Sequence, residues 1–138
     1  MKAKQLGKGI DQLMDEGVAQ LFTLNLNGRK VIGTVGALQF EVIQYRLEHE
    51  YTAKCSFENF NIHKACWVRA EDNENKNYQE FLKVKQKFLA TDKKGQLVFF
   101  ADSAFSLKMA QQNYPEVTFN YTSEFEWKTS NFLKAIRL

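Results

Sequence analysis

The sequence predicts an α+β fold, a two-layer α/β sandwich with a mixed, mostly antiparallel sheet and ferredoxin-like, split β-α-β elements. Three observations predict it. Apolar residues recur at helical spacing in four segments, short apolar runs bounded by Gly, Asn or Asp lie between them, and the two patterns interleave as α β β α β β α β α β. With 138 residues, 44% hydrophobic composition, 12 Phe and a single Pro, the chain can bury an ordinary core.

The first helix is read from "KQLGKGIDQLMDEG", where Leu6, Ile10 and Leu13 fall on one side and Gly17 can supply a left-handed C-cap. Asp15 and Glu16 put negative charge at its C-terminal end, where the macrodipole disfavours it, so neighbours outside this helix are expected to compensate. "VAQLFTLNLNGRKVIGTV" reads as a hairpin turning at Asn27-Gly28 with the two positive φ angles of a type I′ turn.

A second helix is expected over roughly 36–50. At about 100° per residue it carries two apolar faces: Leu38, Val42 and Tyr45 on one, and Phe40, Ile43, Leu47 and Tyr51 nearly opposite. A helix lying on one sheet needs only one such face, so a second layer is expected over the Leu38 side. "YTAKCSFENF" and "IHKACWVRA" alternate as strands.

The third helix is read from Tyr78 through Leu89, with Lys76, Lys83 and Lys87 within about 40° of one another on its outer side. "DKKGQ" turns into the strand "QLVFFA", Ser103 can cap a fourth helix that ends before Pro115, and "VTFNY" is a strand. The remainder mixes Phe125, Trp127, Phe132, Leu133 and Ile136 without a clean period. It is read as a docked or partner-bound tail, giving a domain over 1–122 and a tail over 123–138.

A formal net charge of +3 permits contact with an anionic polymer without specifying one. Cys55 and Cys66 do not make a secreted-type disulfide framework, and the absence of a leader pattern points to a reducing, cytoplasmic setting. No apolar run approaches the roughly 18 residues that would span a bilayer.

Gly33 to Leu38 supplies neither the lysine nor the adjoining hydroxyl residue that follow the last glycine of a phosphate loop, and "DKKG" at 92–95 fits a turn better than a nucleotide motif. The same glycines fit a KH-type GXXG clamp in spacing, but Thr and Val replace its basic residues, and a tight strand-to-helix turn with Gly36 avoiding a clash is the favoured reading. His49, Cys55, His63 and Cys66 match no metal-ligand spacing. Asp102-Ser103 sits at a junction that can be catalytic, although a serine N-cap explains it, and Arg29 lies outside the loop an acylphosphatase-like enzyme would need. The cationic feature is Lys76, Lys83 and Lys87 together with Lys93 and Lys94, residue types that grip phosphates without reading sequence.

"KQLGKGIDQLMDEGVAQLF", "VIGTVGALQFEVIQYRLEHEY", "ACWV" and "YPEVTF", spread over roughly residues 4–121, resemble the C-terminal domain (domain III) of bacterial peptide chain release factor 3, the translational GTPase of termination. More distantly, the glycine turn and its helix are similar to the third domain of elongation factor G. The resemblance implies upstream GTPase and β-barrel domains, cytoplasmic location, ribosome binding, and GTP-dependent release of class I release factors. It implies no catalytic residue, cofactor or metal in this segment, with GTP/GDP and Mg²⁺ in the parent protein. Its partners would be ribosomal RNA and proteins, the upstream domains and, indirectly, class I release factors, with no membrane. Within that reading, Lys76, Lys83, Lys87, Lys93 and Lys94 are the expected ribosome contacts, and Leu38, Val42 and Tyr45 the expected interdomain packing. Cys66 stands where the family's "ARWV" pattern has an arginine, and 124–138 lies beyond the match. The alternatives are a stand-alone KH-like RNA-binding module and a small acylphosphatase-like hydrolase.

Overall fold

The structure is a computed structural model that describes residues 2–17, 19–34, 36–120 and 132–137. Helix α1 (Lys2–Asp15) leads into β1 (Gln20–Leu24) and β2 (Lys30–Thr34), followed by α2 (Gln39–Tyr51) and β3 (Ser56–Asn59). Then come β4 (Lys64–Arg69), α3 (Lys76–Val84), a 3-10 turn at Gln86–Phe88, β5 (Leu89–Asp92), β6 (Leu97–Ala101), α4 (Ala104–Asn113), β7 (Thr118–Asn120) and β8 (Phe132–Arg137). The expected α+β class is the one observed, with four helices and eight strands among the described residues. By contacts, the chain divides into two compact units. Strand β1 belongs to both, Gln20–Phe22 to the first and Thr23–Leu24 to the second.

In the first unit the strand order is β3-β8-β2-β1, with β8 antiparallel to both neighbours: Ile32 faces Lys134, and Phe57 faces Ile136. Leu6, Ile10, Leu13 and Met14 of α1 and Phe40, Ile43 and Leu47 of α2 pack with Leu21, Ile32 and Ile136 into one core. The two helices approach closely at Gly9, where a Cβ would lie 2.5 Å from Leu47 Cδ2 and 2.9 Å from Tyr51 Cδ2. Compensation for the acidic end of α1 comes from α2, since Arg46 donates to both carboxylate oxygens of Glu16 at 2.9 and 3.0 Å and also to Glu50 at 2.6 Å.

In the second unit the order is β1-β5-β6-β4-β7, and the pairs β5–β6, β6–β4 and β4–β7 are antiparallel. Its core joins Tyr78 and Phe81 of α3, Leu107 and Ala110 of α4, and Cys66, Val68, Leu89 and Phe99 of the strands. Phe81 is the centre of an edge-to-face cluster, 5.4 Å from Phe99, 5.3 Å from Tyr114 and 5.6 Å from Phe119 between ring centroids. Asn75 caps α3 by accepting the N–H groups of Asn77 and Tyr78, and Ser103 caps α4 by accepting that of Ser106. Pro115 follows the end of α4, as expected.

Five local expectations are corrected. The β1–β2 connection spans 25–29 rather than a two-residue type I′ turn: Gly28 has φ 73°, but Asn27 is not among the positive-φ residues, and Gly28 N–H bonds back to the Leu24 carbonyl. The strand expected from Tyr51 starts only at Ser56, because α2 runs through Tyr51 and stops on a left-handed Thr52, φ 54°. Helix α3 ends at Val84 instead of continuing to Leu89, and 89–92 is a strand that the sequence reading did not separate from the helix.

The aperiodic tail contains β8, where Lys134 lies on the helix-facing side with its ammonium 5.0 Å from the Phe40 ring centroid, so apolar alternation is lost. Finally, Gly36 avoids no clash, since a Cβ there meets only Gln39 Oε1 at 3.8 Å. The turn is tied instead by polar bonds: Thr34 Oγ1 donates to the Gly36 carbonyl, and Gly36 N–H donates to Gln39 Oε1, both at 2.8 Å.

Candidate functional site

Helix α2 buries Phe40, Ile43 and Leu47 in the first-unit core and turns Leu38, Val42 and Tyr45 to solvent, 74%, 51% and 64% exposed. Both faces projected from the sequence therefore exist, and nothing among the described residues covers the second. His49 extends this stripe by one turn, its ring tilted 34° against that of Tyr45 with centroids 4.1 Å apart. Glu41 and Glu48 follow one flank of the stripe, while Arg46 on the other flank is held by Glu16 and Glu50. The bond to Arg46 holds the Glu16 carboxyl below its ordinary value, and the guanidinium is correspondingly pushed up by Glu16 and then Glu50.

The lysines lie in the second unit, and the structure distributes them differently from a single helical face. Lys76 and Lys83 are exposed on α3, seven residues apart and so on one side of it. Lys87 belongs to the 3-10 turn after the helix. Lys93 and Lys94 are exposed on the β5–β6 turn. Five residues separate Lys87 from Lys93, Phe88 and the four of β5, and the strand alone rises about 13 Å. Val84, 58% exposed, lies between Lys83 and the half-buried Lys85.

The groups weighed for catalysis or metal take structural positions. Ser103 is the α4 cap, Arg29 pairs with Glu58, and Gly33 is a buried residue within β2. Cys66 is fully buried, and burial pushes its thiol up to about 12, with Lys64 opposing. Cys55 is raised by burial and then by the negative charge of Glu48. Among the described residues no group of three or more His, Cys, Asp or Glu side chains is placed to hold a metal ion. A depression of about 330 Å³ beside the α3 N-terminus is lined by Glu71, Asp72, Asn75, Pro115 and Glu116, with no histidine or thiol on its wall.

Sequence reasoning placed a turn at "DKKG" but gave its acid no role. Asp92 is a buried acid at the end of β5, bonded to the β5–β6 turn and to Trp67. A D-K-K-G run after an apolar stretch is the signal that could have found it, because Asp at the first position of a tight turn accepts N–H groups two residues on.

These features define an α+β domain with an uncovered apolar helix stripe and a distributed set of exposed lysines. The chain belongs to the C-terminal domain family of the class II release factor RF3, whose family model matches residues 1–111. Membership gives it a role in translation termination and implies association with the ribosome. No helix among the described residues is long and apolar enough to cross a membrane.

Proposed function

We propose that this chain is a non-catalytic ribosome-contacting and interdomain module of a cytoplasmic GTPase release factor, one that promotes dissociation of class I release factors from the ribosome. In this reading, 1–122 forms the module together with β8, which the first-unit sheet includes, and GTP, GDP and Mg²⁺ belong to the upstream part of the polypeptide. The observation that carries the reading is the α2 stripe: Leu38, Val42 and Tyr45 remain exposed on a helix whose opposite face is fully packed. An exposed apolar row of this length is costly to leave in water and is the expected form of a surface that docks on another domain. Lys76, Lys83, Lys87, Lys93 and Lys94 supply the contacts to ribosomal RNA or protein.

The test is cosedimentation of the chain with ribosomes at low salt, alongside a variant with all five lysines changed to glutamine. Pelleting of the wild type and its loss in the variant are expected. A wild-type chain that stays in the supernatant, or a variant that pellets equally well, refutes the ribosome-contact assignment. For the α2 stripe, Val42→Asp with Tyr45→Ser in the full-length release factor is expected to slow class I factor release while leaving nucleotide binding intact. An unchanged release rate would remove the interdomain role.

A further inference from the structure

The β5–β6 turn is held by a buried side chain at its base. Asp92 is only 5% exposed, and its carboxylate takes three donors. Oδ1 accepts the backbone N–H groups of Lys94 and Gln96, each at 2.9 Å, and Oδ2 accepts the Trp67 indole N–H at 2.9 Å. The Asp92 N–H donates to the Gln96 carbonyl at 3.0 Å and the Gly95 N–H to the Asp92 carbonyl at 3.1 Å, while Gly95 supplies the left-handed step at φ 84°. This is the three-residue hairpin with a glycine bulge. Its two remaining loop positions are Lys93 and Lys94, both exposed.

We propose that this tip is a preorganised contact for RNA phosphates and that Asp92 is its positioning residue. The inference rests on the ribosome-contact reading and narrows it to one ligand chemistry and one pair of lysines. Two features favour phosphate over a protein partner. Protein interfaces are anchored on aromatic or other apolar side chains and are depleted in lysine, and the loop Lys93-Lys94-Gly95 presents no apolar side chain. Lys83, by contrast, adjoins exposed Val84 on α3. A backbone already fixed by Asp92 also loses less conformational freedom when two ammonium groups engage neighbouring phosphates.

The experiment is fluorescence anisotropy of a labelled RNA hairpin titrated with the 138-residue chain between about 50 and 200 mM salt. Lys93→Gln with Lys94→Gln removes two phosphate contacts. The slope of log affinity against log salt should therefore flatten by about 1.8, and the gap between wild type and variant should shrink about tenfold across that range. Asp92→Ala removes a negative charge, which by electrostatics alone would tighten RNA binding. If Asp92 positions the turn, affinity falls severalfold instead. Asp92→Asn keeps an Oδ1 acceptor for the turn and loses the acceptor for Trp67, so it should melt earlier yet bind RNA at least as well as wild type.

Where Asp92→Ala does not give the wild-type circular dichroism, Gly95→Ala takes its place. Its Cβ meets nothing within 4 Å, but it strains the same turn at unchanged charge, and affinity should again fall. Tighter binding by Asp92→Ala, or unchanged binding by Gly95→Ala, overturns the positioning role. No RNA binding by the wild type, or an unchanged salt slope in the lysine variant, overturns the phosphate contact. A chain that pellets with ribosomes but whose RNA affinity ignores Lys93 and Lys94 leaves the ribosome reading standing without this inference. RNA binding through the tip by a chain that does not pellet does the reverse.

Discussion

Phe81→Ala is the substitution to which the second unit should be most sensitive. The ring is fully buried and meets Phe99, Tyr114 and Phe119 edge to face at 5.3–5.6 Å, so one side chain ties α3 to β6, β7 and the residue that ends α4. Truncating a buried Phe costs about 3–5 kcal/mol, and the lost ring pairs, each about 0.5–1.5 kcal/mol beyond area burial, place this case near the upper end. A domain of this length has an unfolding entropy of roughly 0.3 kcal/mol per K at its midpoint, so a loss of about 4 kcal/mol lowers Tm by about 14 °C. Urea unfolding followed by circular dichroism, with differential scanning calorimetry alongside, measures both quantities. Phe81→Leu keeps most of the apolar volume and should recover about half the loss. A cost below about 2 kcal/mol for Phe81→Ala, with an unchanged m-value, would refute the claim that this ring cluster organises the unit.

Other substitutions test the local corrections. Gly9→Ala should destabilise by about 1–3 kcal/mol by overpacking α1 against Leu47 and Tyr51, whereas Gly36→Ala should fall within about 0.5 kcal/mol of wild type; chemical denaturation compares them. Thr52→Gly should stabilise by about 0.5–1 kcal/mol, because it relieves a non-glycine residue at φ 54°, and a lowered Tm would contradict that account. Arg46→Met should lower Tm modestly by releasing Glu16 and Glu50, with the difference narrowing in about 1 M salt.

The Cys66 thiol is raised from 9.0 to about 12 on folding, so the native state holds its proton more tightly than the unfolded chain. Its contribution to stability is fully present below pH 9 and is lost as pH rises from about 9 to about 12. Unfolding titrations of Cys66→Ala should show a shallower decline across that window, and in the folded wild type iodoacetamide should modify Cys55 before Cys66.

Much of the fold was legible where burial is one-sided. Leu6, Ile10 and Leu13, or Phe40, Ile43 and Leu47, declare their faces because a surface helix must repeat its apolar residues near every 3.6 positions. The need for a cation near Asp15 and Glu16 was legible from charge alone, but its source was not, since Arg46 is 30 residues distant from Glu16. Strand β5 escaped because it is short, follows a helix without glycine or proline, and carries a buried acid at its end. Strand β8 escaped because a lysine stands at an inward position and covers a ring instead of pointing to water. Of the candidate site, the residue types on α2 and the lysines were readable; their arrangement around β5 and the role of Asp92 were not.

The sequence by itself determined the α+β class, the two-faced character of α2, the cap at Ser103, and the absence of a complete phosphate-loop motif from Gly33-Gly36. Each depends on periodicity or on a hydrogen bond spanning a few residues, and local chain order contains that information. Tertiary structure decided where 132–137 pairs, which glycines are sterically constrained, what neutralises Glu16, and how Trp67 and Asp92 brace the Lys93-Lys94 turn. Those outcomes depend on atoms far apart in the chain meeting within a few ångströms, and the geometry that brings them together exists only after the strands have paired.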